Sequence, residues 1–236
     1  MHKKLGILGG MGPLATADLF RKIILLTDAK CDQEHIHILI DNNTSIPDRT
    51  AYLIANGQDP REQLITSAKR LEAMGADFLI MPCNTAHNFY EDIVKEIKIP
   101  FLNMIEETAK FISEKYTGVK IGLLSTEGTC KTHIYDKAIK KYGMELVKPI
   151  KTQQHITNFI YSIKAGKNIT LDGFNKSLEE LKALGAKVFI LGCTELSVGY
   201  EIFKMEGNYV NPLEIIAIRA IHFAGKKSLI KSHSST

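Results

Sequence analysis

Short apolar runs alternate with longer segments of helical periodicity along most of this chain. Residues 5–8 form an apolar run that ends in a glycine-rich loop, and residues 15–27 then carry apolar side chains at helical spacing. The order recurs in an apolar run at residues 36–40 and a helical pattern at residues 60–74, which ends at Gly75, a common helix stop. Strands that alternate with helices predict a parallel sheet covered by helices, and therefore an α/β fold.

A third apolar run, residues 78–81, leads into a small polar loop that contains Cys83. A further helix, a strand at residues 100–103 and a helix that begins near Ile105 follow it. Residues 41–50, after the second strand, are mostly polar and are predicted to form a loop. The first half of the chain thus contains the elements of one complete α/β unit.

The second half of the chain repeats this order. Residues 71–84 align without a gap to residues 181–194, and the alignment places Cys83 and Cys193 at the same repeat position. Because both cysteines follow an apolar strand, we expect each of them at the carboxyl end of a parallel sheet, where such folds bind ligands.

Two further correspondences keep the same order, since residues 121–128 match the opening strand and loop, and residues 209–223 match the last strand and helix of the first half. Together they predict two similar parallel-sheet α/β domains related by a pseudo-twofold axis, with the active site in the cleft between them. By this symmetry we expect each last helix to cross to the other domain. The first domain, with Cys83, then comprises residues 1–103 plus 212–228, and the second, with Cys193, comprises residues 104–211.

The chain of 236 residues has an ordinary globular composition, with 44% hydrophobic residues and a formal net charge of +4. Its lysines are scattered, and no apolar run reaches the roughly 20 residues that cross a bilayer, so we expect neither nucleic acid nor a membrane as a partner. The N-terminus lacks the apolar stretch of a signal peptide, which favours a cytoplasmic protein. Residues 229–236 carry few apolar side chains and are expected to be a disordered tail.

Four cysteines, Cys31, Cys83, Cys130 and Cys193, lie far apart in the sequence. None has the spacing to another cysteine or histidine that a zinc site requires, so we expect no metal site, and free thiols in a reducing compartment. Cys31 and Cys130 have no counterpart in the repeat and are expected to be structural.

Cys83 and Cys193 each precede small polar residues and a helix, and a thiol near a helix N-terminus is expected to have a lowered pKa. One thiolate and one thiol on opposite faces of a carbon atom can remove one proton and deliver another, which inverts the stereocentre. We therefore expect both cysteines to be catalytic. His87 could tune the neighbouring thiol, although a helix-capping or surface role fits its position better.

The polar residues beside the two cysteines are candidates for binding the carboxylate of a small ligand. Asn84, Thr85 and Thr194, with the backbone N–H groups of the same loops, could stabilise the negative charge that develops when an α-proton leaves. Met11, in the glycine-rich loop after the first strand, and Thr126, in the corresponding loop of the second half, are expected to contact the same ligand.

Several segments together resemble the aspartate/glutamate racemase superfamily, and most closely its aspartate racemase branch. The resemblance covers nearly the whole chain and is strongest in residues 6–16, 46–50, 75–87, 104–108 and 192–195. It implies an enzyme that uses no cofactor, neither pyridoxal phosphate nor a metal ion. It also implies two α/β domains, a pair of cysteines acting as two bases, and a homodimer.

The resemblance also implies roles for residues outside the first cysteine loop. Arg49 and Lys164 match positions thought to hold the side-chain carboxylate of aspartate, a role that suits the planar fork of arginine. Glu195 follows Cys193 and Thr194 where the glutamate racemase branch carries a histidine. It is expected either to support the Cys193 thiol or to bind the ammonium group of the substrate.

These inferences predict an isomerase that racemises aspartate by proton transfer between two cysteines, with a small acidic amino acid as its partner. Racemisation of glutamate or of several amino acids is the nearest alternative, because one methylene group changes discrimination by only about 10- to 200-fold. An alternative of another class is a non-catalytic protein that binds a dicarboxylate in the same cleft. Two facing thiols favour the enzyme, since a binding protein has no need of them.

Overall fold

The computed structural model describes residues 3–166 and 170–230 of the chain. In the first half, strands β1 (Leu5–Gly9), β2 (Ile38–Asn42) and β3 (Phe78–Ile80) form a parallel sheet in the order β2-β1-β3. The central strand, β1, is buried along its whole length. A continuous apolar run is what a strand covered on both faces requires.

Helices α1 (Pro13–Leu26), α2 (Arg49–Ala55), α3 (Arg61–Ala73) and α4 (Tyr90–Val94) belong to the first half, with 3-10 helices at Asp32–Glu34 and Thr85–Phe89. Helix α2 corrects the prediction that residues 41–50 are entirely loop. The Asp48 carboxylate accepts the N–H of Ala51 at 2.7 Å and caps a helix that begins at Arg49. The pattern missed α2 because seven residues make only about two turns.

The strand predicted at residues 100–103 is wrong in extent, since a single residue, Phe101, bridges to Leu79 at the edge of the first sheet. The Asn103 side chain already accepts the N–H groups of Ile105 and Glu106, at 2.9 and 3.2 Å. The chain therefore leaves the sheet after one residue because the cap of the next helix turns it away.

The second half forms a parallel sheet from β4 (Lys120–Leu124), β5 (Leu146–Val147), β6 (Ala186–Leu191) and β7 (Tyr209–Val210), in the order β5-β4-β6-β7. Its helices are α5 (Met104–Lys115), α6 (Glu127–Lys131), α7 (Ile134–Lys140), α8 (Gln153–Lys164), α9 (Asp172–Ala183), α10 (Thr194–Phe203) and α11 (Pro212–Phe223). With the Phe101 bridge in the place of β7, the two sheets have the same strand order.

The internal repeat seen in the sequence is also visible in the backbone. Helix α3 ends at Ala73 and α9 at Ala183, and the glycines two residues later, Gly75 and Gly185, both have φ of +91°. Only glycine adopts such a conformation without a steric penalty, so each helix stops at the same point before its strand. The structure confirms a parallel α/β fold built from two similar units related by a pseudo-twofold axis.

The last helix of each repeat, α5 and α11, packs against the sheet of the other repeat, and we call these two the crossing helices. Ile105, Ala109 and Ile112 of α5 join the core around β4 and β6, whereas α11 joins the core around β1 and β3. This packing supports the division into residues 1–103 plus 212–228 and residues 104–211, which we propose as the two domains.

The first residues after α11 are hydrogen-bonded to the end of α1 and to the segment that follows it. The Asp28 N–H donates to the carbonyl of Lys227 at 2.9 Å, and the Leu229 N–H donates to the carbonyl of Leu26 at 2.8 Å. Residues 231–236, most of the tail predicted to be disordered, lie outside the described residues. Within residues 3–166 and 170–230, no helix is long and apolar enough to cross a membrane.

Candidate active site

A small cavity lies between the two sheets, and it receives the loops that follow β1, β3, β4 and β6. All ten candidate residues from the sequence line it: Met11, Arg49, Cys83, Asn84, Thr85, Thr126, Lys164, Cys193, Thr194 and Glu195. Asp48 and Thr50 also line it. Sequence reasoning missed these two, although they flank Arg49 within the segment 46–50.

The Cys83 loop is anchored by a buried histidine. The Cys83 carbonyl accepts a hydrogen bond from Nδ1 of His87 at 2.8 Å, and the Met104 N–H donates to Nε2 of His87 at 3.1 Å. A carbonyl can only accept and an amide N–H can only donate, so the proton of the neutral ring is on Nδ1. Burial lowers the pKa of His87 to about 4. His87 is therefore neutral at pH 7, and it caps a crossing helix instead of lying at the surface.

Asn84, the residue after the first cysteine, is buried with only 3% of its surface exposed. Its Oδ1 accepts the hydroxyl proton of Tyr135 at 2.6 Å. Its Nδ2 has no hydrogen-bond partner among the described residues. An unpaired buried donor costs about 1–3 kcal/mol, so an amide N–H₂ in this cavity is suited to an acceptor on a ligand.

Three threonine hydroxyls from the two halves of the chain meet beside the cavity. Thr85 Oγ1 lies 2.9 Å from Thr129 Oγ1 and 3.3 Å from Thr126 Oγ1, and the last two are 3.3 Å apart. Hydroxyls donate and accept, so they can share these contacts and still reorient toward a ligand. The group joins the Cys83 loop to the loop that follows β4.

Cys193 is the N-cap residue of α10, but its thiol environment differs from the one that the sequence predicts. Its Sγ–H donates to Oε2 of Glu195 at 2.8 Å, and both residues are buried. Burial, and then the negative charge of Glu195, raise the pKa of Cys193 well above its ordinary value, although Lys164 opposes them. The expectation of a lowered thiol pKa is thus wrong for Cys193, because desolvation and a neighbouring carboxylate outweigh the helix N-terminus.

Lys164 supplies a positive charge to this side of the cavity, with its Nζ 3.7 Å from Oε1 of Glu195. Burial opposes the charge on Lys164, but the negative charges that Cys193, Glu195 and Cys83 carry in their ionised forms outweigh it and raise the pKa of the lysine. Lys164 therefore stays protonated and compensates negative charge that forms on either sulfur.

Arg49 supplies a second positive charge and is only 8% exposed. Its Nη1 donates to the carbonyls of Ile46 and Pro47 at 3.2 and 2.9 Å, and its Nη2 donates to the carbonyl of Met11 at 3.4 Å. Its Nε has no partner, and in the described part of the chain no carboxylate lies within ion-pair distance of the guanidinium. A buried cation without an anion is costly, so Arg49 is suited to a carboxylate brought by a ligand.

The other two cysteines lie outside the cavity. Cys31 is exposed, and the buried Cys130 thiol contacts Ser125 Oγ at 3.2 Å and Gln153 Oε1 at 3.1 Å. Among the residues that the structure describes, no group of three or more His, Cys, Asp or Glu side chains could hold a metal ion. The residues that line the cavity offer two thiols, two cations, two carboxylates and a set of hydrogen-bond donors.

Comparisons with known proteins find relatives over most of the chain. The family model described as Asp/Glu/Hydantoin racemase matches residues 8–210. The broad specificity amino-acid racemase RacX of Bacillus subtilis is 32% identical over 209 residues, which cover 86% of this chain and 89% of that protein.

Solved structures are similar over almost the whole chain. The aspartate racemase of Picrophilus torridus is 30% identical with a TM-score of 0.78, and the alignment covers 95% of this chain and 96% of that one. An aspartate racemase homologue from Pyrococcus horikoshii is 25% identical with a TM-score of 0.74, covering 94% and 99%.

Proposed function

The chain belongs to the Asp/Glu/hydantoin racemase family and is an amino-acid racemase, an isomerase, and we propose that it interconverts L-aspartate and D-aspartate without a cofactor. The observation that carries this proposal is the buried, unpaired Arg49 guanidinium. An amino acid with a second carboxylate would supply the missing anion.

The other cation and the hydrogen-bond donors of the cavity support the same substrate. Lys164 is ion-paired only loosely with Glu195, at 3.7 Å, and can also attract the side-chain carboxylate. We assign the α-carboxylate to Asn84 Nδ2, which is unpartnered, and to the hydroxyls of Thr85 and Thr194, which line the same cavity. The Thr194 hydroxyl donates to Oε2 of Glu195 at 3.4 Å, a long contact that a substrate carboxylate can replace.

The mechanism that we propose uses the difference between the two thiols. Because Cys193 holds its proton through Glu195, Cys83 acts first as the base. Cys83 reacts as its thiolate: the α-carbon–hydrogen bond breaks, the proton passes to the Cys83 sulfur to give S–H, and the electron pair spreads onto the α-carboxylate. The Cys193 S–H then delivers its proton to the other face of the same carbon, which inverts the stereocentre and leaves a thiolate on Cys193.

In the reverse direction the Cys193 thiolate takes the α-proton and the Cys83 S–H delivers its proton to the other face, which restores the first state of the pair. We propose that Glu195 supports Cys193 in both directions, because its carboxylate accepts the hydrogen bond of the thiol at 2.8 Å and holds the sulfur in place. Lys164 limits the cost of negative charge on the sulfur and the carboxylate. This assigns Glu195 to the thiol and leaves Asp48, the other carboxylate that lines the cavity, as a candidate for the substrate ammonium group.

The negative charge that forms on the α-carboxylate needs donors that are already in place. Asn84 Nδ2 is buried and unpartnered, and the Thr85 hydroxyl can turn from its threonine neighbours toward the ligand. Removing one such donor typically costs about 10²- to 10³-fold in kcat. These residues therefore act on the rate more than on affinity.

A broader substrate range is the second candidate, because the Bacillus subtilis relative is named a broad specificity amino-acid racemase. Under this alternative Arg49 and Lys164 contribute to the binding of acidic substrates and not to that of neutral ones. Turnover of glutamate or of neutral amino acids at rates comparable with aspartate would favour it.

The experiment that tests the proposal is exchange of the substrate α-hydrogen in D₂O, followed by NMR with L-aspartate and with L-glutamate, together with chiral analysis. We expect deuterium at the α-carbon and D-aspartate as product, with glutamate at least tenfold slower. Arg49→Ala is expected to raise the KM for aspartate by about 100-fold and to affect a neutral amino acid little. Equal effects on both substrates would remove Arg49 from side-chain recognition.

We also propose that the enzyme is a homodimer of a reducing, cytoplasmic compartment, where both thiols stay free. Helix α1 exposes Leu14, Phe20, Ile24 and Leu25, and such an apolar face is suited to a second copy of the chain. Light scattering after gel filtration is expected to show a dimer, and Phe20→Glu combined with Leu25→Glu is expected to give monomers. A monomeric wild-type protein would contradict this.

A further inference from the structure

Tyr135 lies outside the cavity lining but contacts one of its residues across the two halves of the chain. Its ring is fully buried in the core of the second sheet, in the short helix α7. Its hydroxyl donates to Oδ1 of Asn84 at 2.6 Å, and Asn84 belongs to the Cys83 loop of the first half. The two residues are 51 positions apart in the sequence.

The direction of this hydrogen bond decides what Asn84 presents to the cavity. A side-chain amide has an accepting end and a donating end, and the Tyr135 hydroxyl engages the accepting end. The donating end, Nδ2, is then left buried and unpartnered in a residue that lines the cavity. The opposite orientation would present the amide oxygen to the cavity, and this oxygen would repel the oxygens of a substrate carboxylate.

We propose that Tyr135 is a positioning residue for the reaction, which orients the Asn84 amide so that its N–H₂ donates to the α-carboxylate as that group gains charge. The inference rests on the proposed role of Asn84 in carboxylate binding. Burial raises the pKa of Tyr135, so its hydroxyl keeps the proton that it donates at every working pH. Because Tyr135 belongs to the second half of the chain, the donor is oriented only while the two halves are packed together.

The first test is Tyr135→Phe, which removes the hydroxyl and keeps the buried ring. We expect kcat to fall about 10- to 50-fold with KM changed less than threefold, because the oriented donor acts mainly in the transition state. Tyr90→Phe is the matched control. The Tyr90 hydroxyl donates to the carbonyl of Phe101 at 2.7 Å, outside the cavity lining, so its loss should lower thermal stability similarly and leave kcat within twofold.

A double-mutant cycle with Asn84→Ala separates positioning from packing. If Tyr135 acts through Asn84, adding Tyr135→Phe to Asn84→Ala lowers kcat no further. Equal losses in the wild-type and Asn84→Ala backgrounds would mean that Tyr135 acts by packing, and would overturn the proposal. Wild-type kcat in Tyr135→Phe or in Asn84→Ala would overturn it as well.

The cycle is measured by α-hydrogen exchange on whichever amino acid the wild-type enzyme turns over fastest. Failure of aspartate as a substrate would contradict the proposed function alone, because the cycle on the amino acid used still decides the role of Tyr135. Circular dichroism and thermal unfolding of each variant confirm that the compared proteins are folded.

Discussion

The loops that carry Cys83 and Cys193 occupy equivalent positions in the two repeats, and they are anchored in the same way. Four residues after each cysteine a side chain binds the N-terminus of a crossing helix. His87 accepts the Met104 N–H at the start of α5, and Ser197 donates to the Oδ1 of Asn211, which caps α11. The framework that places the two sulfurs has therefore been kept in both repeats.

The residues immediately after the two cysteines differ. Cys193 donates to a carboxylate two positions later, whereas no carboxylate within the described residues is hydrogen-bonded to the Cys83 sulfur. Asn84, next to Cys83, instead presents an unpartnered amide. The comparison shows how a duplicated framework can hold two thiols at equivalent places and still give them different proton chemistry.

The strongest test of the comparison removes each sulfur in turn. Cys83→Ala and Cys193→Ala are each expected to lower racemisation by about 10³-fold or more, because inversion needs an acid and a base on opposite faces of the α-carbon. Chiral chromatography measures the product. Cys31→Ala, at an exposed cysteine outside the cavity, is the control and should keep activity within twofold. Substantial turnover in either alanine variant would contradict the proposal that racemisation needs both thiols, one as the acid and one as the base.

A second test removes the carboxylate that distinguishes the Cys193 loop. Glu195→Gln is expected to lower kcat/KM about 100-fold, equally from both enantiomers, because their equilibrium constant is one. At the same time the pKa of Cys193 should fall, because the negative charge of Glu195 helps to raise it. Alkylation of Cys193 by iodoacetamide at pH 8, followed by mass spectrometry of its peptide, should therefore become faster.

These two readouts together distinguish the roles of Glu195. Faster alkylation with unchanged turnover would mean that Glu195 only shifts the thiol pKa. Unchanged alkylation with lost turnover would mean that it binds substrate and does not act on the thiol.

The smallest expected effect comes from His87 and Ser197, the residues that link each cysteine loop to a crossing helix. Only the histidine can change its charge with pH. The pKa of His87 is about 4 in the folded protein and about 6.5 in an unfolded chain, so the unfolded state takes up the proton first as pH falls. The contribution of the neutral His87 to the free energy of unfolding is therefore complete above about pH 6.5, and it is lost as pH falls toward 4. Urea unfolding should show that wild-type protein loses about 2 kcal/mol more than His87→Gln between pH 7 and pH 5.

Ser197 provides the matched comparison, because its hydroxyl does not titrate in this range. Ser197→Ala is expected to lower the free energy of unfolding by about 1 kcal/mol at both pH values. A pH-independent difference between wild-type protein and His87→Gln would mean that His87 is not held neutral in the folded state.

Local patterns predicted most of the elements, and they failed where an element was short or depended on a distant partner. Helix α2 has seven residues, and the strand at residues 100–103 shrank to one bridge because Asn103 caps a helix. The Cys193 thiol was misjudged for a related reason, since the pKa depends on burial and on the rotamer of Glu195 as well as on the helix N-terminus.

The sequence by itself determined the α/β class and the duplicated unit, because hydrophobic periodicity and a gapless repeat reflect constraints along the backbone. With the family resemblance it also predicted ten of the twelve residues that line the cavity. Only the tertiary structure decided which polar groups are paired. It joins Tyr135 to Asn84 and leaves Arg49 without an anion, since burial and contacts between residues far apart in the chain exist only once the two sheets have packed.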